Sequence, residues 1–147
     1  MTRICLIGFG EVGQILATDL AGKAELTAHD LLFADPGSLP SRALSQHVVR
    51  AGASAAEAVA GADLILSAVT AAQDVEAARA AAGAIGKGCF FLDLNSASPG
   101  MKQASAEIIE RAGGRYVEAA VMAPFPPKRL ASPMLLGGPH ASALAEL

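Results

Sequence analysis

Clustered positive charge and long apolar runs are both missing from this sequence. Its 11 lysine and arginine residues are outnumbered by 14 acidic ones, which gives a net charge of −3 at pH 7. Such a chain offers no basic surface for nucleic acid or for anionic membrane lipids. The apolar runs are only as long as single strands, which excludes a transmembrane helix and argues against a signal peptide. We therefore expect a cytoplasmic protein that binds small molecules, with no nucleic acid or membrane partner.

Cysteine and histidine are also scarce. Cys5 and Cys89 lie within strand-like runs, where a reduced, buried thiol behaves as a small apolar group. No disulfide or redox role is therefore expected. His29, His47 and His140 stand apart from one another, so no metal site is expected. Each histidine is interpreted as structural or solvated rather than catalytic.

The length and the order of apolar segments predict the fold. The 147 residues, 52% of them hydrophobic, suffice for one sizeable core but not for two full domains. Strand-like and helix-like segments alternate, which predicts an α/β fold of the Rossmann type: a doubly wound, mainly parallel sheet in a three-layer αβα arrangement. The predicted strands cover residues 3–7, 25–30, 47–50, 64–69, 89–94, 116–120 and 134–136. The predicted helices cover residues 11–21, 42–46, 54–61, 71–84 and 99–112, with a loop at 33–41.

A glycine-rich segment follows the first predicted strand and opens a helix. It reads Gly8-Phe9-Gly10-Glu11-Val12-Gly13, the G-x-G-x-x-G pattern in the context that marks a dinucleotide-binding loop. Gly8 would allow the tight turn, Gly10 would let the backbone approach a pyrophosphate, and Gly13 would let the helix pack closely on the strand. Amides at the helix start would then hold the phosphates. All six residues are therefore predicted to bind a nicotinamide dinucleotide.

Residues after the second and fourth strands should complete the cofactor site, because ligands bind beyond the carboxyl ends of a parallel sheet. Asp30 follows the second strand at about the distance from the glycines where an acid contacts a ribose. A carboxylate there favours NAD over NADP, which remains the alternative. Asp35 competes with Asp30 if the strand is longer. Val69 and Thr70 are predicted to lie along the adenine-side ribose or the nicotinamide, although Thr70 could equally cap a helix.

Small polar side chains crowd the turn after the fifth strand. Asn95, Ser96 and Ser98 could donate hydrogen bonds to a substrate carboxylate, assisted by helix amides starting at Pro99. A helix cap needs only one such residue, so their number favours a binding site. Asn95 is also predicted to contact the cofactor. Lys102 is interpreted as a solvated residue in the first turn of the helix.

Three segments together carry a resemblance to a known family. The glycine loop, the stretch from Asp93 to Pro99 and Leu135-Leu136-Gly137-Gly138 resemble the NAD-binding domain of the β-hydroxyacid dehydrogenases, which include 6-phosphogluconate and 3-hydroxyisobutyrate dehydrogenases. More narrowly, residues 93–99 and 116–124 are similar to an uncharacterised bacterial branch known as phosphogluconate dehydrogenase-like. The resemblance covers nearly the whole chain. It implies hydride transfer between NAD and the hydroxyl-bearing carbon of a small hydroxy acid.

The same resemblance implies a set of substrate residues. The family pattern Asp-x-Ser-Thr-x-x-Pro falls on residues 93–99, where Asn95 and Ser96 replace Ser-Thr but can still hydrogen-bond an acid. A second pattern, Asp-Ala-Pro-Val-Ser-Gly-Gly, falls on residues 118–124. There Met122-Ala123-Pro124 replaces Ser-Gly-Gly, which argues against the family's usual substrates. The substrate residues are therefore predicted to be Asn95, Ser96, Ser98, Met122 and Ala123.

No catalytic residue is predicted within residues 1–147. Family members place a catalytic lysine in a second, all-helical domain, and that lysine would lie beyond Leu147; Lys102 and Lys128 lie in other segments. We expect a dinucleotide-binding domain. Leu144 and Leu147 would begin a helix that has nothing to pack against without the second domain, so domain pairing or dimerisation is expected of the parent enzyme, with a homodimer as the predicted assembly. An imine or ketone reductase of the same architecture and a stand-alone NAD-sensing module are the alternatives.

Overall fold

A computed structural model describes residues 2–121 and 134–137 of the chain. The strands are β1 (Arg3–Ile7), β2 (Glu25–His29), β3 (Arg50–Ala51), β4 (Leu64–Ser67), β5 (Phe90–Asp93), β6 (Arg115–Val121) and β7 (Met134–Gly137). The helices are α1 (Glu11–Leu20), α2 (Leu39–Ala43), α3 (Ala55–Val59), α4 (Asp74–Ala82) and α5 (Pro99–Arg111). Short 3-10 turns cover Leu31–Ala34, Leu44–Gln46 and Ala71–Gln73. No helix in these described ranges is long and apolar enough to cross a membrane.

The strands form one sheet in the order β3-β2-β1-β4-β5-β6-β7. Neighbouring strands from β3 through β6 are parallel, and β7 is antiparallel to β6. Strand order reverses between β1 and β4, which is the switch point where ligands bind in doubly wound sheets. The predicted Rossmann-type, mainly parallel sheet is confirmed.

Both faces of the sheet are covered, because strand residues alternate between two apolar clusters. In β1, Ile4 and Leu6 pack on the side of α1 and α2, whereas Cys5 and Ile7 pack on the side of α3, α4 and α5. The alanines of α4 that face this second cluster are buried, so their small side chains let the helix approach the sheet closely. Burial also raises the pKa of both free thiols, Cys5 and Cys89, to about 12.

The boundaries of α2 and β3 differ from the sequence prediction. The predicted loop at 33–41 contains the start of α2, because the Ser38 hydroxyl accepts a hydrogen bond from the Ser41 amide and Pro40 lies in the first turn. The third strand falls at Arg50–Ala51 instead of 47–50. The predicted cap of α3 is confirmed, since Ser54 Oγ accepts from the Glu57 amide at 3.1 Å.

Register places the ends of the strands in one row. Ile7 pairs with His29 and Ser67, Ser67 pairs with Asp93, and Asp93 pairs with Glu118. The segments that follow these residues therefore emerge at a single edge of the sheet. They include the glycine loop and the polar turn after β5.

Candidate functional site

A cleft of about 980 Å³ lies at the carboxyl ends of β1, β2, β4 and β5. Its volume is at the upper end of the range of about 300–1,000 Å³ that small-molecule sites occupy. Most of the predicted binding residues line it, namely Gly8, Gly10, Glu11, Val12, Asp30, Val69, Thr70, Asn95 and Ser96. The row of strand ends thus brings together segments that are far apart in the sequence.

The three glycines of the loop differ in what surrounds them. Gly8 has a φ of +97°, and a Cβ on it would lie 2.1 Å from the Ala68 carbonyl oxygen. A Cβ on Gly13 would lie 2.2 Å from the Gly8 carbonyl oxygen. Gly10 is exposed, and a Cβ there would meet nothing within 4 Å. Packing within the fold therefore requires glycine at positions 8 and 13. It does not require glycine at position 10, where there is open space next to the start of α1.

Phe9 lies behind the cleft rather than in it. Its ring is fully buried and packs edge-on against Phe33 and His47, with ring centroids 6.0 and 5.4 Å away. The Phe9 amide donates to Asp30 Oδ2 at 2.8 Å. Gly13 is also buried and is not part of the lining. These two residues shape the loop from within.

Asp30, rather than Asp35, reaches the cleft. Besides the Phe9 amide, its carboxylate accepts a hydrogen bond from the Leu32 amide at 2.9 Å, which caps the 3-10 turn after β2. Asp35 is exposed and instead accepts from the Gly37 amide at 3.0 Å in its own turn. The carboxylate of Asp30 thus fastens the glycine loop to the end of β2 and also faces the cleft.

His29 is a cleft residue that the sequence interpretation treated as structural or solvated. It is half-buried, and its Nδ1 lies 3.1 Å from the Gly52 carbonyl oxygen. The ring therefore has a structural contact and borders the cleft as well. Its position directly before Asp30 was the signal that could have placed it there.

Val69 and Thr70 form the rim after β4. The Val69 amide donates to Asn95 Oδ1 at 2.7 Å. Thr70 is exposed in the cleft lining, and its hydroxyl makes no capping hydrogen bond to the following 3-10 turn. The alternative prediction, that Thr70 caps a helix with its side chain, is not what the structure shows.

The polar residues after β5, Asn95, Ser96 and Ser98, lie in three different environments. Ser96 is exposed within the cleft. Ser98 caps α5 by accepting from the Met101 amide at 3.3 Å and is not among the cleft residues. Asn95 is nearly buried, and both its amide nitrogen and its oxygen bond to the protein. Met122 and Ala123 lie outside the described residues.

Asn95 joins the rims after β4 and β5. Its Nδ2 donates to Ser67 Oγ at 3.1 Å and to Asp74 Oδ1 at 2.8 Å, and its backbone amide donates to Asp93 Oδ1 at 2.9 Å. With the bond from the Val69 amide, these contacts leave its side chain directed into the protein. Its predicted contacts with ligand stay a prediction, and the observed contacts are those of a residue that holds the rim.

Two buried carboxyl groups that sequence reasoning did not pair lie beneath this rim. Asp93 Oδ2 accepts from the Tyr116 hydroxyl at 2.7 Å, and Asp74 Oδ2 accepts from the Ser105 hydroxyl at 2.8 Å. Asn95 donates to both carboxyl groups, to Asp93 Oδ1 from its backbone amide and to Asp74 Oδ1 from its side chain, so one residue holds the two groups near each other. Their residues come from α4, α5, β5 and β6, so no local sequence pattern signals the contact.

The environments of the two carboxyl groups separate their pKa values. Burial and the neighbouring Asp74 carboxyl raise the pKa of Asp93 to about 7. Burial alone would raise the pKa of Asp74, but its hydrogen bonds and the nearby charge of Lys102 outweigh burial and lower it. Burial and the bond to Asp93 raise the pKa of Tyr116. Near pH 6 the pair therefore holds one proton, on Asp93.

The interpretation of Lys102 as a solvated residue is wrong. Only 7% of Lys102 is exposed. Its ammonium group donates to the Ala119 carbonyl oxygen at 3.3 Å and lies 3.9 Å from Glu118 Oε1. The start of α5 faces β6 at this residue, so the long side chain is covered by the sheet.

A doubly wound sheet with a glycine loop and an acid at the switch-point cleft defines a dinucleotide-binding domain of the Rossmann class. The family model described as the NAD binding domain of 6-phosphogluconate dehydrogenase matches residues 3–142. The chain belongs to this family, which confirms the resemblance, and is therefore an NAD-binding domain of a dehydrogenase family. No curated protein sequence matches it.

Solved structures agree with this assignment. A conserved hypothetical protein from Sinorhizobium meliloti 1021 is 39% identical, with a TM-score of 0.90 over 99% of this chain and 50% of its own. Mycobacterium tuberculosis 3-hydroxyisobutyrate dehydrogenase is 23% identical, with a TM-score of 0.85 over 99% of this chain and 49% of its own. An imine reductase from Pseudomonas sp. is 19% identical, with a TM-score of 0.77 over 99% of this chain and 50% of its own. The last two likenesses concern the fold, and the chain spans about half the length of each.

Proposed function

We propose that this chain binds NAD in the cleft and forms the cofactor half of an oxidoreductase that acts on a small hydroxy acid. The observation that carries the proposal is the open space in front of Gly10. Glycine is unnecessary there for packing, yet the residue directly precedes the first turn of α1, where helix amides can hold a pyrophosphate. Glu11 and Val12 begin that turn and border the same cleft.

Asp30 supports NAD as the preferred cofactor. Each of its carboxylate oxygens accepts one backbone hydrogen bond, and each can accept another. A ribose diol could therefore bind without breaking the contact to the Phe9 amide. A 2′-phosphate would bring a second negative charge against the carboxylate, which disfavours NADP.

The remaining parts of the reaction are assigned by family resemblance. Bound NAD would supply the hydride acceptor. Ser96 is exposed in the cleft and can donate to a substrate carboxylate, and Asn95, Ser98, Met122 and Ala123 complete the proposed substrate set. Within it, the capping contact of Ser98 and the inward contacts of Asn95 favour indirect roles. A lysine in an all-helical second domain would exchange the proton, and the parent would be a cytoplasmic homodimer.

Titration with NADH tests the cofactor site directly. We expect saturable binding, followed by nicotinamide fluorescence, that weakens about tenfold or more in Gly10→Ala, because the new methyl group occupies the space of the phosphates. Gly86→Ala is the matched control, since a Cβ there also meets nothing within 4 Å but lies away from the cleft. Equal affinities of the two variants would contradict the proposed site.

Asp30→Ala separates cofactor recognition from loop support. If Asp30 binds the ribose, the variant should lose NADH affinity and gain NADPH affinity relative to NADH. If Asp30 only fastens the loop through the Phe9 amide, both affinities should fall equally. Asp35→Ala is the control, because that carboxylate bonds only within its own turn among the contacts described.

Substrate oxidation distinguishes the hydroxy-acid proposal from its alternative, an imine or ketone reductase. The departures at Asn95 and Ser96 and at residues 122–124 motivate that alternative. A parent protein that reduces imines but oxidises no hydroxy acid would favour it. NADH binding by a parent without turnover of either substrate class would favour an NAD-sensing module.

A further inference from the structure

Six polar side chains form a buried cluster beneath the rim after β4 and β5. Each of these residues is at most 5% exposed. We call them the buried polar cluster: Ser67, Asp74, Asp93, Asn95, Ser105 and Tyr116. Burying so many polar groups is unfavourable unless each finds a partner, and the observed hydrogen bonds supply partners from five elements of the fold and the turn after β5.

Asn95 connects this cluster to the cleft. Its backbone amide donates to Asp93 and its side-chain amide donates to Asp74, so both carboxyl groups determine where it lies. Its Oδ1 in turn accepts the Val69 amide at 2.7 Å. Val69 and Ser96 therefore flank the cleft at positions that depend on the two carboxyl groups.

Two buried carboxyl groups that bind the same asparagine favour a state with one proton between them. If both were ionised, two buried negative charges would repel each other with no water to screen them. The donors to the pair are the Tyr116 and Ser105 hydroxyls and the Asn95 amides. None of these donors carries a positive charge that could balance a second carboxylate.

We propose that Asp74 and Asp93 share one proton, and that this proton fixes Asn95 and the Val69 amide in the arrangement that binds the cofactor. Loss of the proton loosens the rim, so NADH affinity falls as the pair ionises. Asp74, Asp93 and Asn95 are then positioning residues of the cleft. The proposal deepens the proposed NAD site and rests on it.

The charged groups around the pair support a single shared proton. Lys102 of α5 is the nearby cation, with its own contacts to β6 at Ala119 and Glu118. Tyr116 and Glu118 are the titratable groups that β6 contributes, and β4 contributes only the neutral Ser67. Because the Lys102 ammonium also lies 3.9 Å from Glu118 Oε1, it cannot neutralise two buried carboxylates, and ionising both would leave a net buried negative charge. The raised pKa of Asp93, about 7, agrees with this balance.

The pH dependence of NADH affinity tests the proposal. Between about pH 6 and pH 9 the dissociation constant should rise about fivefold, the equivalent of one lost hydrogen bond. In Asp93→Asn the pH profile should be flat, because the amide cannot ionise. In Tyr116→Phe the midpoint should move to higher pH, because the lost hydroxyl stabilises the ionised form of Asp93. A purely structural role predicts no such shift.

Two further measurements test whether Asp93 is the titrating group. His29→Asn keeps a polar contact toward Gly52 and should leave the midpoint unchanged; a profile that disappears in this variant overturns the proposal. In the cofactor-free chain, the amide NMR signals of Val69 and Asn95 should follow the same titration and lose it in Asp93→Asn. Signals that do not titrate, or a flat NADH profile in the original chain, also overturn it. No NADH binding at any pH overturns the proposed function, while the amide signals still decide on the shared proton.

Discussion

The two ends of the cleft hold carboxyl groups in opposite ways. At the β2 end, Asp30 is half-buried and accepts hydrogen bonds from two backbone amides, those of Phe9 and Leu32. At the β5 end, Asp74 and Asp93 are almost completely buried and bond mainly to side chains. The first carboxylate depends on neighbours from the loop and turn beside it, and the second pair depends on the packing of four elements.

The fold assigns ligand recognition and positioning of the cleft rim to different carboxyl groups. A carboxylate near solvent keeps lone pairs for a ligand, so Asp30 can bind a ribose while it holds the loop. A buried pair has no ligand within reach but responds strongly to any lost partner, because desolvation is not offset by water. Mutations at the two ends should therefore have different consequences for stability.

Alanine substitution at each end gives the largest contrast. Asp74→Ala removes the acceptor of Asn95 Nδ2 and of the Ser105 hydroxyl and leaves both donors buried without a partner, so we expect a loss of about 3 kcal/mol in the free energy of unfolding. Asp30→Ala removes a cap and should cost about 1 kcal/mol. Denaturant unfolding of both variants measures the contrast. Equal losses would mean that the buried pair is no more tightly integrated than an exposed cap.

Local patterns in the sequence were sufficient for the fold and for the Asp30 end. The glycine loop, the strand before it and the acid after β2 are each defined within a few residues, and parallel topology alone brings them to one edge. The competing Asp35 could not be dismissed by sequence, because its exclusion depends on β2 ending at His29.

The Asn95 end required the three-dimensional structure. Register aligns Ser67 with Asp93, and the packing of α4 and α5 brings Asp74 and Ser105 to the same place. Such contacts join residues separated by 21 to 31 positions, and no spacing rule encodes them. The burial of Lys102 could not be predicted for the same reason, since the first turn of a helix is solvated only if no sheet covers it.

The two buried carboxyl groups contribute to stability with opposite pH dependence. The pKa of Asp93 is about 7 in the folded chain and near 4 when unfolded, so the folded chain binds the proton more tightly. This contribution is complete below about pH 4 and is lost as pH rises through 7, at a slope of about 1 kcal/mol per pH unit. The lowered pKa of Asp74 has the opposite sign and contributes stability that is lost only at lower pH.

Thermal or denaturant unfolding between about pH 4 and pH 8 checks this expectation. Asp93→Asn is the matched variant, because it retains the size of the side chain and removes the titration, and its stability should change little across the range. Asp35→Asn, at an exposed turn, should preserve the slope of the original chain. A rise in stability from pH 5 to pH 7 would show that Asp93 is ionised in the folded state.

The smallest expected effects distinguish two serines within the polar turn itself. Ser98 was predicted to contact substrate, but its hydroxyl accepts the Met101 amide at the start of α5; Ser98→Ala should therefore cost about 1 kcal/mol of stability and leave NADH affinity unchanged. Ser96 is exposed in the cleft, so Ser96→Ala should stay within about 0.5 kcal/mol of the original stability. If Ser96→Ala proved the more destabilising of the two, the turn would be held by contacts other than the helix cap, and the assignment of Ser96 to ligand binding would lose its basis.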